Sequence, residues 1–130
     1  MENLVIPATE RSPRVDFDFA AGRLSLRGES YPEDASKVFG PIFSGLDGFL
    51  SEAAGRDICF DIELVYFNSS SAKALMNMFL RLDEAAANGV RITVNWCFSP
   101  DDETMKEFGE NFAEDLEHVA FNLVAAQPAE

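Results

Sequence analysis

The sequence predicts an α/β domain in the order ββαβαβαβ, with a mixed sheet and its helices mainly on one face. Three observations carry this. Short runs alternate apolar and polar residues with a period of two, as half-buried strands do. Between those runs the apolar period lengthens to that of a helix. Each strand-like run also has one apolar edge and one mixed or polar edge, whereas a sheet covered on both faces would show continuous apolar runs. Strands separated by helices imply parallel crossovers.

The elements follow in order. Residues 1–13 read as irregular, punctuated by Pro7 and Pro13. Val15, Phe17 and Phe19 alternate with Asp16 and Asp18, and Leu24 and Leu26 alternate with Arg23, Ser25 and Arg27. The short Ala20-Ala21-Gly22 link makes these two runs a β-hairpin. A helix is expected from Asp34 to Glu52, with Val38, Phe39, Ile42, Leu46, Phe49 and Leu50 on one face. Its propensity is poor. Pro41 either kinks it or marks the first turn of its main segment, and Gly40, Gly45 and Gly48 weaken it further.

A strand from Ile58 to Tyr66 follows, with Ile58, Phe60, Ile62, Leu64 and Tyr66 pointing one way. The next helix is expected from Ser70 to Ala87, ended by Asn88-Gly89. Ile92, Val94, Trp96 and Phe98 mark another strand. Ser99 reads as an N-cap and Pro100 as the first residue of the last helix, with Asp101, Asp102 and Glu103 in its first turn. Met105, Phe108, Phe112 and Leu116 form its stripe. A last strand spans Val119 to Val124, and residues 125–130 read as a frayed polar end.

Composition limits the functions available. The 130 residues are 47% hydrophobic, enough for one domain with a real core. Ten basic against twenty-three acidic residues leave a formal charge of −13. That argues against nucleic acid or an anionic membrane as a partner, since both need a basic surface. It favours proteins with basic patches, although acidity also serves plain solubility. No apolar leader core or membrane span is visible, so a cytoplasmic location is expected. Cys59 and Cys97 lack metal-ligand spacing and read as free thiols. His118 stands alone, and no nucleophile has an identifiable base, so the chain does not read as an enzyme. The Asp101-Asp102-Glu103 run invites a metal, but a helix first turn explains it without one. No cofactor is expected.

One stretch stands out chemically. Asn68-Ser69-Ser70-Ser71 joins the middle strand to the second long helix. Orphan N–H groups and the positive end of the macrodipole meet hydroxyls there, a setting that favours an anion. A serine at a helix start is ordinarily only a cap. Three in a row exceed what a cap needs. Ser69 reads as a phosphorylation site, with Asn68, Ser70 and Ser71 shaping the corner. Lys73, one turn on, reads equally as a phosphate partner or as an ordinary exposed lysine. Tyr31-Pro32-Glu33 is a helix-entry turn or a second edge of a recognition surface. An alternative from another class is a small-ligand sensor that binds a free anion at the same helix N-terminus.

The strand, Asn-Ser-Ser and helix pattern resembles the phospho-acceptor corner of STAS domains, the anti-sigma factor antagonist fold. The chain is more closely similar to the SiaC family of bacterial regulatory phosphoproteins. The matching pieces are Ser12-Pro13, Gly28-Glu29-Ser30-Tyr31-Pro32-Glu33, Phe39 with Pro41-Ile42, Tyr66 through Ser71, Val94-Asn95-Trp96, Asp101-Asp102-Glu103 and Phe108-Gly109-Glu110. Family members typically carry Thr at the position of Ser69, and often a bulky aromatic near Gly45. The resemblance implies a partner-switching cycle. A dedicated protein kinase phosphorylates Ser69, a PP2C-type phosphatase removes the phosphate, and the unphosphorylated form binds and activates a diguanylate cyclase. It makes Tyr31, Pro32 and Glu33 candidate partner contacts alongside Asn68, Ser70, Ser71 and Lys73.

Overall fold

A computed structural model describes residues 3–125; the end expected to fray lies outside them apart from Ala125. The strands are β1 (Leu4–Ile6), β2 (Arg14–Asp18), β3 (Arg23–Ser30), β4 (Asp57–Phe67), β5 (Arg91–Phe98) and β6 (Ala120–Ala125). The helices are α1 (Ala35–Leu50), α2 (Ser69–Ala87) and α3 (Glu103–Glu114). All six strands form one sheet in chain order, β1-β2-β3-β4-β5-β6. The first three are antiparallel to one another, and β3 to β6 run parallel. Three parallel crossovers step across the sheet in the same direction. Right-handed connections then place all three helices on one face.

Alternation does the rest. Val15, Phe17, Leu24, Leu26, Phe60, Ile62, Val94 and Trp96 point to the helix face and are buried. The opposite face carries lateral polar rows, one of them Asp16, Ser25, Asp61, Asn95 and Asn122 in direct register. Asn95 Nδ2 donates to Asp61 Oδ1 at 2.9 Å, and Asn122 Nδ2 donates to Asn95 Oδ1 at 3.1 Å. This face satisfies its own polar groups. Burial pushes the Cys59 and Cys97 thiols up, and the nearby Asp61 charge pushes both further.

Four expectations need correction. The first 13 residues are not wholly irregular: Leu4–Ile6 pairs with Val15–Phe17 as β1, a strand too short to show a period. Ala125 belongs to β6 rather than to a frayed end. The first helix is shorter than the expected Asp34–Glu52, running Ala35–Leu50 with Pro41 inside it. Pro41 is exposed, so water can satisfy the carbonyl that its missing N–H leaves free.

The fourth concerns the last helix. Ser99 is not its N-cap. Asp102 N donates to Ser99 O at 2.9 Å, which makes residues 99–102 a turn with Pro100 in its second position. Asp102 is the cap, its Oδ1 accepting from Met105 N at 3.0 Å. Trp96 Nε1 donates to Met105 O at 2.9 Å and fixes the same turn to the sheet. Gly109 allows α3 to lie this close, because a Cβ there would sit 2.5 Å from Trp96 Cδ1. Phe108 is not part of the buried stripe, and Leu116 falls beyond the helix. No helix is long and apolar enough to cross a membrane among the described residues.

Candidate functional site

The corner between β4 and α2 begins with a change of phase in the strand. The β3–β4 register shifts between Gly28 and Glu29, so that Gly28 faces Leu64 and Glu29 faces Tyr66. Val65 is the extra residue of a β-bulge. The expected inward alternation therefore stops at Leu64. Tyr66 turns out to solvent, 53% exposed, and Phe67 turns in. The Tyr66 ring meets Tyr31 edge-on, with centroids 5.8 Å apart. Phe67 packs on Phe108 and Trp96.

Asn68 is the N-cap of α2, in extended backbone with φ −88° and ψ 176°. Its Oδ1 accepts from Ser71 N at 2.9 Å and from Ser70 Oγ at 3.2 Å. Its backbone N donates to Ser30 O at 3.0 Å, and its Nδ2 donates to Pro32 O at 3.5 Å. The cap thus ties the corner to the loop after β3. A second tie lies beneath it. Ser30 and Ser71, both fully buried, share a hydroxyl hydrogen bond of 2.7 Å.

The three serines consequently differ. Ser71 belongs to the interior, and Ser70 serves the cap. Ser69 is exposed, and its hydroxyl holds no hydrogen bond among the described residues. It opens α2, whose first turn contains no acid, so the positive end of the helix dipole is uncompensated. Helix spacing carried part of this signal. Ser71 lies four residues before Leu75 and seven before Met78, on the buried face, while Ser69 shares the outer face with Lys73 and Asn77.

The remaining expected residues divide in the same way. Tyr31 and Glu33 reach the surface beside the corner, and Lys73 is exposed one turn along α2. Pro32 and Ser71 are buried, so neither side chain offers surface to a partner; that expectation is corrected by their packing. Sequence reasoning missed Arg11. Its carbonyl accepts from Tyr31 N at 2.8 Å, and its guanidinium pairs with Glu33 at 3.2 Å. It missed Val65 as well, because a bulge depends on the neighbouring strand. At the mouth of α1, the Ser36 hydroxyl hydrogen-bonds the Asp34 carboxylate and holds its pKa below the ordinary value.

Comparison with known proteins agrees with this fold. Residues 6–126 match the model of the SiaC family regulatory phosphoprotein. An uncharacterized protein of Pseudomonas aeruginosa is 36% identical over 115 residues, covering 88% of this chain and 90% of that protein. The crystal structure of apo-SiaC from Pseudomonas aeruginosa is 34% identical, with a TM-score of 0.84 over 98% of this chain and 100% of that one. SiaC is also solved as the activator in complex with the diguanylate cyclase SiaD of Pseudomonas aeruginosa. That match is 35% identical, with a TM-score of 0.89 over 95% of this chain and 99% of that one. With its length and its fold both matched, the chain belongs to the SiaC family of regulatory phosphoproteins and is a regulator, not an enzyme.

Proposed function

We propose that this protein is a cytoplasmic, phosphorylation-controlled activator of a diguanylate cyclase, with Ser69 as its switch. A protein kinase adds the phosphate, a PP2C-type phosphatase removes it, and the unmodified form binds the cyclase. Two comparisons support the reading: the family is one of regulatory phosphoproteins, and a relative is solved bound to a cyclase it activates. The observation that carries it is the state of the three serines. Only the Ser69 hydroxyl is both exposed and unengaged, so a kinase can reach it without disturbing the cap or the buried Ser30–Ser71 pair.

The physics of the switch is local. A phosphoserine adds about −1.5 to −2 charge at one point. The free end of the α2 dipole stabilises it, so the fold tolerates it. A partner surface pressed against Ser69 must desolvate or expel that charge. A penalty of about 3 kcal/mol weakens binding more than a hundredfold without refolding. Asn68 and Ser70 shape the corner, Ser71 anchors it from beneath, and Tyr31, Glu33 and Lys73 supply contacts around it.

The test combines phosphosite mapping with cyclase assays. Mass spectrometry of protein from its own host should place phosphate on Ser69. Ser69→Ala should bind and activate the cyclase constitutively, and Ser69→Glu should do neither. A phosphate found only elsewhere, or equal activation by both variants, would overturn the reading.

A further inference from the structure

One surface beside the corner is not used by the switch itself. Where β4 and β5 end and the chain turns into α3 there is a cleft of about 370 Å³. Its walls are Val65, Phe98, Pro100 and Met105, and Glu63 and Asp101 stand at its rim. Val65 is 69% exposed and Tyr66 is 53% exposed, two adjacent apolar side chains turned outward at the bulge. Bulges occur disproportionately beside functional sites, where they re-aim side chains. Asp101 has no hydrogen bond or ion pair among the described residues, and Glu63 holds only Arg27.

We propose that this cleft is a second contact point for the protein partner that reads Ser69, taking an apolar side chain that lies next to a lysine or arginine. The proposal rests on the function proposed above. Charge selects the occupant. A second copy brings a formal charge of −13 to an acidic rim, and an anionic lipid surface is repelled in the same way. The chain's own residues 126–130, Ala-Gln-Pro-Ala-Glu, contain neither a large apolar side chain nor a cation. A partner segment with a basic residue beside an apolar anchor fits both the walls and the rim. Position selects the partner. Val65 lies four residues before Ser69, a span of about 13 Å along an extended chain, so one interface can cover both.

The experiment titrates the diguanylate cyclase of the same organism with four forms of the full chain: wild type, Val65→Asp, Asp101→Lys and Ser69→Glu. Both cleft positions are exposed, so thermal melting should stay at the wild-type value. Val65→Asp should weaken binding about thirtyfold and Asp101→Lys about tenfold, the size expected for a central anchor and a rim charge. Wild-type affinity in Val65→Asp alongside loss in Ser69→Glu would overturn the cleft and leave the switch standing. Loss in Val65→Asp with full binding by Ser69→Glu would support the cleft and remove the switch. Failure of the wild type to bind the cyclase would overturn both. Sedimentation of the chain alone guards the choice of occupant. A wild-type dimer that Val65→Asp dissociates would make the occupant a second copy and overturn the proposal.

Discussion

The two ends of the parallel strands have opposite characters. At the end where β4 and β5 begin, polar groups are consumed internally. Arg91 pairs with Asp57 and also donates to Gly55 O, while Arg56 donates to Ala20 O. Asp83 of α2 accepts the backbone N–H groups of Glu117, His118 and Val119 at 3.1, 2.7 and 3.1 Å, clamping the link into β6. At the other end lie two exposed apolar side chains, with a hydroxyl and a carboxylate that have no partner among the described residues. The stitched end nevertheless holds the larger cleft, about 710 Å³ against 370 Å³. Empty volume and unsatisfied groups therefore point to opposite ends of this molecule. Groups left unsatisfied or turned outward set the other end apart, and the proposed contacts lie there.

Substitutions can break or sharpen this contrast. The largest effect is expected at the stitched end. Asp83→Ala removes a carboxylate from three N–H donors and should lower unfolding free energy by about 3 kcal/mol in urea titrations. Ser71→Ala comes next, because it leaves the Ser30 hydroxyl buried without its partner, at about 2 kcal/mol. Adding Ser30→Ala should recover part of that loss; full additivity of the two would remove the claim that they act as a pair. Asn68→Ala should cost about 1 kcal/mol through the lost cap. Ser69→Ala should change stability by less than about 0.5 kcal/mol. If Ser69→Ala instead destabilises as much as Ser71→Ala, the distinction among the serines collapses.

The smallest expected effect is acid sensitivity at the stitched end. The Arg91 hydrogen bond, reinforced by its charge, holds the Asp57 carboxyl below its ordinary value of 3.8. A depressed folded pKa contributes stability above the unfolded value and loses it as pH falls through the folded one. Asp57→Asn should therefore lower the melting temperature slightly at pH 7, and the difference from wild type should shrink as pH falls below 3.8. A deficit that stays the same size in acid would show that packing, not charge, is what Asp57 supplies.

Much of the fold was legible because period and burial agree. The alternation from Ile58 to Leu64 and the apolar faces of α1 and α2 needed no tertiary information. The failures share a cause: each depends on a neighbour. β1 exists only through its pairing with β2. The inward reading of Tyr66 failed because the bulge is set by how Gly28 and Glu29 align with β4. Ser99 and Asp102 are equally good caps in sequence, and the Trp96 bond to Met105 O accompanies the later one. At the candidate site the corner was readable, but the cap fell to Asn68 and not to one of the serines, with the helix opening at Ser69. The division of labour among the serines was only half readable, since helical spacing put Ser71 inward but the Ser30 partner came from another strand.

Trp96 carries a practical consequence. It is the only tryptophan in the chain, it is buried, and its indole N–H is held by the Met105 carbonyl. Met105 also forms a wall of the cleft beside Val65. A segment seated there would touch the residue that restrains the indole. The protein therefore contains an intrinsic fluorophore one residue away from the proposed contact, and its emission can follow occupancy of the cleft without a label.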